Sequence, residues 1–419
     1  MKKTMVIGLG PDYNYPVDNH SLWDQDNTKY ASNHGASLIS RTLMDFFDAD
    51  YIDDFSDVEA LKITYDLCVI SFATHITSWR DVSRYTDFIK KLNIKTVAFS
   101  LGIQDYAASS SGVFKLHPSI LDLLNFVIKS SGLVGVRGPE TASTLLKAGI
   151  SSKNIVRIGC PTMFRKLDRG LKIEKNAGFK KSVLVFHRTL ANLNKDLVEN
   201  TVVLGQDFLD EVIFTKAENN PVHNIEMNHF KSSKNGSYYL DNIEETGFFS
   251  RDYNDWYERI SSADFVYGPR LHGCITGITS GIPSVMIARD IRVTEIAKFF
   301  KIPYLRYEDV HDKTPKEIYD EASFEDFNFL YPHRFDNFIK LLSDLDILDS
   351  LQTDKKLEVP KEYYFTKDDL NAFDEILFKE LSEVQSFIGK YEDSIQSSAK
   401  LSKAFLKFPG VSLLKRFFR

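Results

Sequence analysis

At 419 residues the chain is too long for one ordinary domain and suits two, each with its own core. Hydrophobic content of 43% against 26% charged residues is that of a globular protein, not of a disordered or fibrous one. With 52 basic against 58 acidic residues the net charge of −6 argues against a general nucleic-acid binder, and no apolar run reaches the roughly 18 residues a membrane span needs.

The amino terminus, MKKTMVIGLGPDYNYP, has a short apolar run that Gly and Pro soon end, so a first strand over Met5–Gly8 is expected rather than a signal peptide. Cys68, Cys160 and Cys274 are widely spaced in apolar surroundings; they suit a reducing cytoplasm and offer neither a disulfide framework nor zinc spacing. Gly35–Phe47 reads as an amphipathic helix through Leu38, Ile39, Leu43, Phe46 and Phe47. Tyr51 and Ile52 begin a second strand. Leu67–Phe72, Val97–Ser100, Leu133–Val136 and Asn154–Ile158 are further buried strands, and Thr141–Ala148 is a helix closed by Gly149. Strands alternating with helices imply a parallel sheet wrapped on both faces. The pattern predicts a Rossmann-like domain over residues 1–170.

Residues 166–181 are charged and poorly patterned, as a linker would be, and Val183–Phe186 opens a second domain over residues 181–345. Gln206–Ser250 is the least readable section; it carries Asn and Ser clusters and is expected to contain mobile loops. Tyr253–Ser261 is a helix that leads into ADFVYGPRLHGCITGITSGIPSVMIARD, the stretch Ala263–Asp290. There Phe265–Tyr267 is a strand, Gly268 and Pro269 turn the chain, and Gly273–Ser280 is a helix of small and β-branched residues. Gly281 suits a left-handed cap, Pro283 stops the helix, and Ser284–Ile287 is the next strand. Ile291–Phe299 follows as a helix and Tyr304–Tyr307 as a last short strand, before a helical extension over residues 346–419.

This β-α-β unit puts Arg270, Leu271 and His272 at a strand's carboxyl end, where ligands of open α/β sheets sit. Arginine offers a fixed fork of donors to a carboxylate or phosphate, and histidine moves protons near neutral pH. At a helix amino terminus the pair suits an anionic, phosphorylated substrate. The bland alternative has Arg270 paired with a structural acid and His272 capping the helix. The acids show no metal-ligand spacing, and Gly8-x-Gly10 precedes a proline rather than a helix, so it is a weak nucleotide fingerprint.

The last 20 residues mix Lys400, Lys403, Lys407, Lys415, Arg416 and Arg419 with Leu, Val and Phe and contain no acid. Such a basic amphipathic tail suits an anionic bilayer surface; a helix docked on the protein is the alternative.

The segment GPRLHGCITGITSGIPSVMI resembles the signature of the polysaccharide pyruvyl transferase family, in which R-x-H-G precedes a small-residue helix and a G-x-P turn into a strand. Asn33-His34-Gly35 resembles the family's N-x-G-D, with Ala36 in place of the acid. Gly102, Val136-Arg137 with its following helix, and Gly159–Pro161, with Cys160 in place of an acid, also agree. The resemblance spans about residues 5–310. It implies a GT-B-like α/β architecture: two Rossmann-like domains facing across a cleft, the first on the acceptor side and the second on the donor side, with no metal or other cofactor. It also implies phosphoenolpyruvate as donor and two hydroxyls of a sugar or oligosaccharide, possibly lipid-linked, as acceptor. The product is a pyruvate ketal.

On that reading His272 is the general acid, and Arg270, Arg292 and Arg137 hold the donor's phosphate and carboxylate. Leu271, Asn33, His75 and Arg188 complete the candidate set. Each has a rival use. Arg137 could bond loop carbonyls, Arg292 could pair with Glu295, and His75 and Arg188 could be satisfied loop residues. A cytoplasmic enzyme, peripheral on the inner face of the membrane, is expected. A GT-B glycosyltransferase using a nucleotide sugar, and a non-catalytic glycan-binding or scaffold member, are the competing readings.

Overall fold

A computed structural model describes residues 3–11, 33–104, 115–366 and 369; the basic tail Lys400–Arg419 and most of the expected helical extension lie outside them. The first part alternates strands β1 (Lys3–Gly8), β2 (Asp50–Tyr51), β3 (Tyr65–Ser71), β4 (Lys95–Phe99), β5 (Val134–Val136) and β6 (Ile155–Arg157) with helices α1 (His34–Phe47), α2 (Val58–Thr64), α3 (Ser83–Leu92), α4 (Pro118–Ser131) and α5 (Pro139–Lys147). The strands pair in parallel in the order β2-β1-β3-β4, and a parallel bridge from Leu101 to Val136 carries the sheet on to β5 and β6. β1 and β3 are buried along nearly their whole length, as continuous apolar runs in a sheet covered on both faces must be.

The second part repeats the plan. β7 (Ser182–Val185), β8 (Thr201–Leu204), β9 (Phe265–Gly268), β10 (Ser284–Ala288) and β11 (Tyr304–Arg306) form a parallel sheet in the order β11-β10-β9-β7-β8. Both sheets therefore reverse direction beside their first strand, between β1 and β3 and between β7 and β9. A reversal opens a crevice at the strands' carboxyl ends. The two carboxyl ends face each other: Asn33 at the start of α1 bridges to Asp207 beyond β8. The architecture is thus GT-B-like.

Gln206–Ser250, where the sequence shows no clear element and loops are expected, holds three helices, α6 (Phe208–Phe214), α7 (Pro221–Ser232) and α8 (Gly236–Thr246). The first two start on side-chain caps rather than on apolar periodicity. Asp207 and Asp210 form a reciprocal capping box on α6, and Asn220 caps α7 ahead of Pro221. Three more helices, α9 (Tyr253–Ser261), α10 (Leu271–Thr279) and α11 (Ile291–Phe300), surround the second crevice. Gly273 lets α10 lie against β7, because a Cβ there would come within 2.2 Å of the Val185 side chain. Gly281 has the left-handed φ of +81° that ends α10.

After α12 (Pro315–Glu321), the long helix α13 (Glu325–Asp344) returns from the second sheet to the first. Phe338 stacks on Phe164 at 4.6 Å and meets Phe46 at 5.7 Å, while Tyr331 Oη donates to the Met163 carbonyl. The residues expected to form a loose linker are pinned to it, Arg169 by a bidentate pair with Asp336 and Ile173 by Asn328. One buried core accordingly runs from the first sheet through α13 to the second. Among the described residues no helix is long and apolar enough to cross a membrane.

Candidate active site

Four strand ends of the second sheet deliver polar groups to one place. β9 ends at Gly268, whose φ of +144° and lack of a Cβ let the chain pass 2.3 Å, in Cβ terms, from the Val185 carbonyl. Arg270 follows as the residue preceding α10, with His272 on its first turn. β7 leads to His187 and Arg188, β8 to Gln206 and Asp207, and β10 to Arg289 and Asp290, which caps α11.

Arg270 donates through Nε to the Phe186 carbonyl at 3.2 Å and through Nη2 to the Asp207 carboxylate, with Asp210 at 3.6 Å. The acid partner of the bland reading is therefore present. Burial, reinforced by Asp207, pushes the Asp210 carboxyl up to about 8 despite Arg270. Arg289 reaches His187, 2.9 Å from Nη1 to Nδ1, and burial together with Arg270 and Arg289 holds that imidazole neutral, far below its usual range.

His272 stands at the seam between the two halves, not inside either one. A Cβ on Gly35 would lie 2.7 Å from its Cβ and Nδ1, so the glycine at the start of α1 is what lets the first half rest on the imidazole. Its Nε2 is 3.7 Å from the Cys160 thiol. Burial, then Arg137 and Arg292, holds its pKa well below 6.5, leaving a neutral ring. It does not act as a helix cap: no side-chain hydrogen bond caps α10.

Arg137 comes from the first sheet, at the end of β5, and is only 2% exposed. Its stem passes under Gly102, and its Nε donates to Ser100 Oγ at 3.3 Å. Among the described residues no carboxylate forms an ion pair with its guanidinium; burial pulls its pKa down, and Cys160, Glu295 and Asp290 at longer range offset this only in part. Arg292 does not pair with Glu295, the rival partner read from sequence. It binds Asp290, 2.6 Å from Nη2, because both sit at the start of α11. Glu295 faces the other way and crosses the seam to Thr141, accepting from its N at 2.7 Å and its Oγ1 at 2.9 Å.

The remaining candidates occupy other stations. Asn33 is a strut: its Oδ1 accepts from Gly35 N and from Gln206 Nε2, both at 2.9 Å, joining α1 to the second half. The Leu271 side chain is buried in the core. Arg188 pairs with the buried Glu226 of α7. His75 is buried, stacks on Phe72 at 4.2 Å and contacts Arg80 at 3.4 Å, and burial with Arg80 lowers its pKa to about 3. None of these contacts joins His75 or Arg188 to His272. Arg289, Gln206 and Asp207 belong to the site's surroundings and escaped the sequence reading, while Glu295 was read only as a partner for Arg292. For Arg289 a signal existed, since it follows β10 just as Arg270 follows β9. Among the described residues no cluster of His, Cys, Asp and Glu has the arrangement to hold a metal ion.

The assembly can do two things chemically: bind a small polyanion through convergent guanidiniums, and exchange a proton through one buried imidazole. A family model described as Polysaccharide pyruvyl transferase matches residues 11–291. No curated protein sequence matches the chain. Among solved structures, it is similar to a functionally uncharacterised protein of Klebsiella pneumoniae, with 14% identity, 73% of this chain and 92% of that one covered, and a TM-score of 0.37. It is similar also to MnaA of S. aureus solved with UDP (12%, 87% and 100%, TM-score 0.42) and to HepE of Anabaena solved with UDP and glucose (11%, 84% and 100%, TM-score 0.41).

Proposed function

This chain belongs to the polysaccharide pyruvyl transferase family, and we propose that it transfers the enolpyruvyl group of phosphoenolpyruvate to two hydroxyls of a sugar, forming a pyruvate ketal. The observation that carries the reading is Arg137: a buried guanidinium with no described carboxylate partner, close enough to His272 to depress its pKa together with Arg292. A donor carrying both phosphate and carboxylate supplies the directly paired anion that the described residues do not. The same negative charge reverses the effect of the two arginines on His272, so donor binding itself favours the imidazolium.

In the proposed sequence His272 gives its proton to the methylene carbon, making a methyl group and an electron-poor centre at the carbon bearing the phosphate. A sugar hydroxyl adds there and its proton returns to the imidazole. The carbon–oxygen bond to phosphate then breaks with the electron pair on phosphate. The second hydroxyl closes the ketal, and its proton leaves with the phosphate. A well-placed acid of this kind contributes about 10²–10⁴-fold, and the arginines stabilise the departing phosphate. No protein-bound metal or cofactor has a role in this sequence. The acceptor is a surface-polysaccharide unit or its lipid-linked precursor, and the basic tail Lys400–Arg419 holds the enzyme to the inner face of the membrane. Vesicle flotation with and without that tail tests this last point; equal partitioning counts against it.

Calorimetric titration tests the donor. Phosphoenolpyruvate should bind and UDP-sugars should not; the opposite preference would favour a nucleotide-sugar glycosyltransferase.

A further inference from the structure

Resting on that reading of the site, we infer that a cavity on the seam is an acceptor subsite for a neutral sugar unit neighbouring the one that receives the pyruvyl group. The cavity encloses about 490 Å³, within the range of small-molecule sites. Both halves build it. Arg41 and Asp45 come from α1, Arg165 from the segment that follows Cys160, and Arg251–Asn254 from the turn into α9.

Its position ties it to the reactive centre. Tyr253 Oη is 3.2 Å from Thr276 Oγ1, which donates to the His272 carbonyl at 2.8 Å, so the cavity wall meets α10 one turn beyond the imidazole. At 1.5 Å per residue that is about 6 Å along α10, and Arg41 is about 9 Å along α1 from Gly35. Arg251 pairs with Glu211, the neighbour of the Asp210 that faces Arg270. The two places therefore lie within the length of a short saccharide of each other.

The wall's chemistry selects the ligand. The wall carries Arg41, Arg165 and Arg251 against Asp45 and Asp252, with Arg165 paired to Asp45 at 3.4 Å and Arg251 held from behind by the buried Glu211 at 2.7 and 3.3 Å, so guanidinium donors and carboxylate acceptors come close to balance. A hydroxyl both donates and accepts and meets such a wall at every turn. An anion would face Asp45 and Asp252 along with the arginines. Arg165 lies over the Tyr253 ring at 4.6 Å, which leaves hydrogen bonding rather than ring stacking as the means of recognition.

Neutral trisaccharides of N-acetylglucosamine, galactose and mannose, titrated into the full chain and followed by saturation-transfer NMR, test the inference, with phosphoenolpyruvate titrated separately. Arg41 and Asn254 are exposed, so Arg41→Ala and Asn254→Ala should fold, which thermal melts check. At least one trimer should bind, and each substitution should weaken it about tenfold or more without changing donor affinity. Binding unaffected by either substitution overturns the inference. So does failure of every trimer to bind a protein that does bind phosphoenolpyruvate, or preference for a glucuronate-containing trimer over its glucose counterpart. A chain that binds a trimer through Asn254 but not phosphoenolpyruvate keeps the subsite and removes the donor reading.

Discussion

Replacing Glu295 by glutamine should make the protein more resistant to alkali. Glu295 is wholly buried on α11 and crosses the seam to the start of α5, where its two oxygens accept from Thr141 N and Oγ1. Burial, and secondarily Glu140, raises its carboxyl from 4.5 to about 8. The unfolded chain releases this proton near 4.5, while the folded protein keeps it until about 8. Over that window the folded state holds more protons, so stability falls as pH rises. At about 1.4 kcal/mol for each pKa unit, the ceiling is about 5 kcal/mol. Glutamine keeps the shape, accepts from Thr141 N and donates to Thr141 Oγ1, and never ionises. Asp210 also titrates near 8, pushed up by burial and Asp207, but it is present in both proteins and drops out of their difference. Urea unfolding at pH 5.5, 7 and 9 is the assay. The variant should lead the parent by about 1 kcal/mol at the lowest pH, where the unfolded chain is already ionised, and by about 3–5 kcal/mol at the highest, as the linkage relation requires. A difference that stays flat across the three conditions would refute the reasoning.

Other substitutions probe the site itself. His272→Asn should lower phosphate release by about 10²–10⁴-fold while phosphoenolpyruvate still binds; it should also abolish the proton uptake that calorimetry in buffers of different ionisation enthalpy detects on donor binding. Arg137→Met should leave the melting temperature equal or higher, since a costly buried charge is removed, and should weaken donor binding by about 2–5 kcal/mol. Unchanged donor affinity would separate Arg137 from the site. Cys160→Asp would set a carboxylate beside His272 Nε2, now 3.7 Å from the thiol. An anion there favours the imidazolium, so the alkaline limb of the pH–rate profile should move up by about one unit or more; a downward shift would contradict the acid role.

What the sequence displayed was whatever chemistry is contiguous. The strand, turn and helix around Arg270 and His272 are encoded within one short stretch, by apolar runs, Gly268, Gly281 and Pro283, and all of them take the expected forms. The parallel sheets were legible for the same reason, since buried strands are unbroken apolar runs. Long-range pairing was not. Nothing in the order of residues tells that Glu295 reaches Thr141 rather than Arg292, or that Asn33 meets Gln206 across the seam. The helices between Phe208 and Thr246 went unread because two of them start on polar caps and all are too short or too mixed for periodicity to stand out. Arg289 was within reach of a reader who inspected the carboxyl end of every strand in the second sheet, not that of β9 alone. Asp207 could have been found from the D-x-x-D capping pattern it shares with Asp210.

The most direct test of the central claim is to incubate the chain with phosphoenolpyruvate and a panel of glycan acceptors in heavy water and weigh the products by mass spectrometry. Protonation of the methylene carbon predicts an acceptor bearing a pyruvate ketal whose methyl group carries one deuterium, formed together with free phosphate and absent with His272→Asn. Sugar transfer from a UDP-sugar with no ketal from phosphoenolpyruvate, or a ketal formed undiminished by His272→Asn, would contradict it.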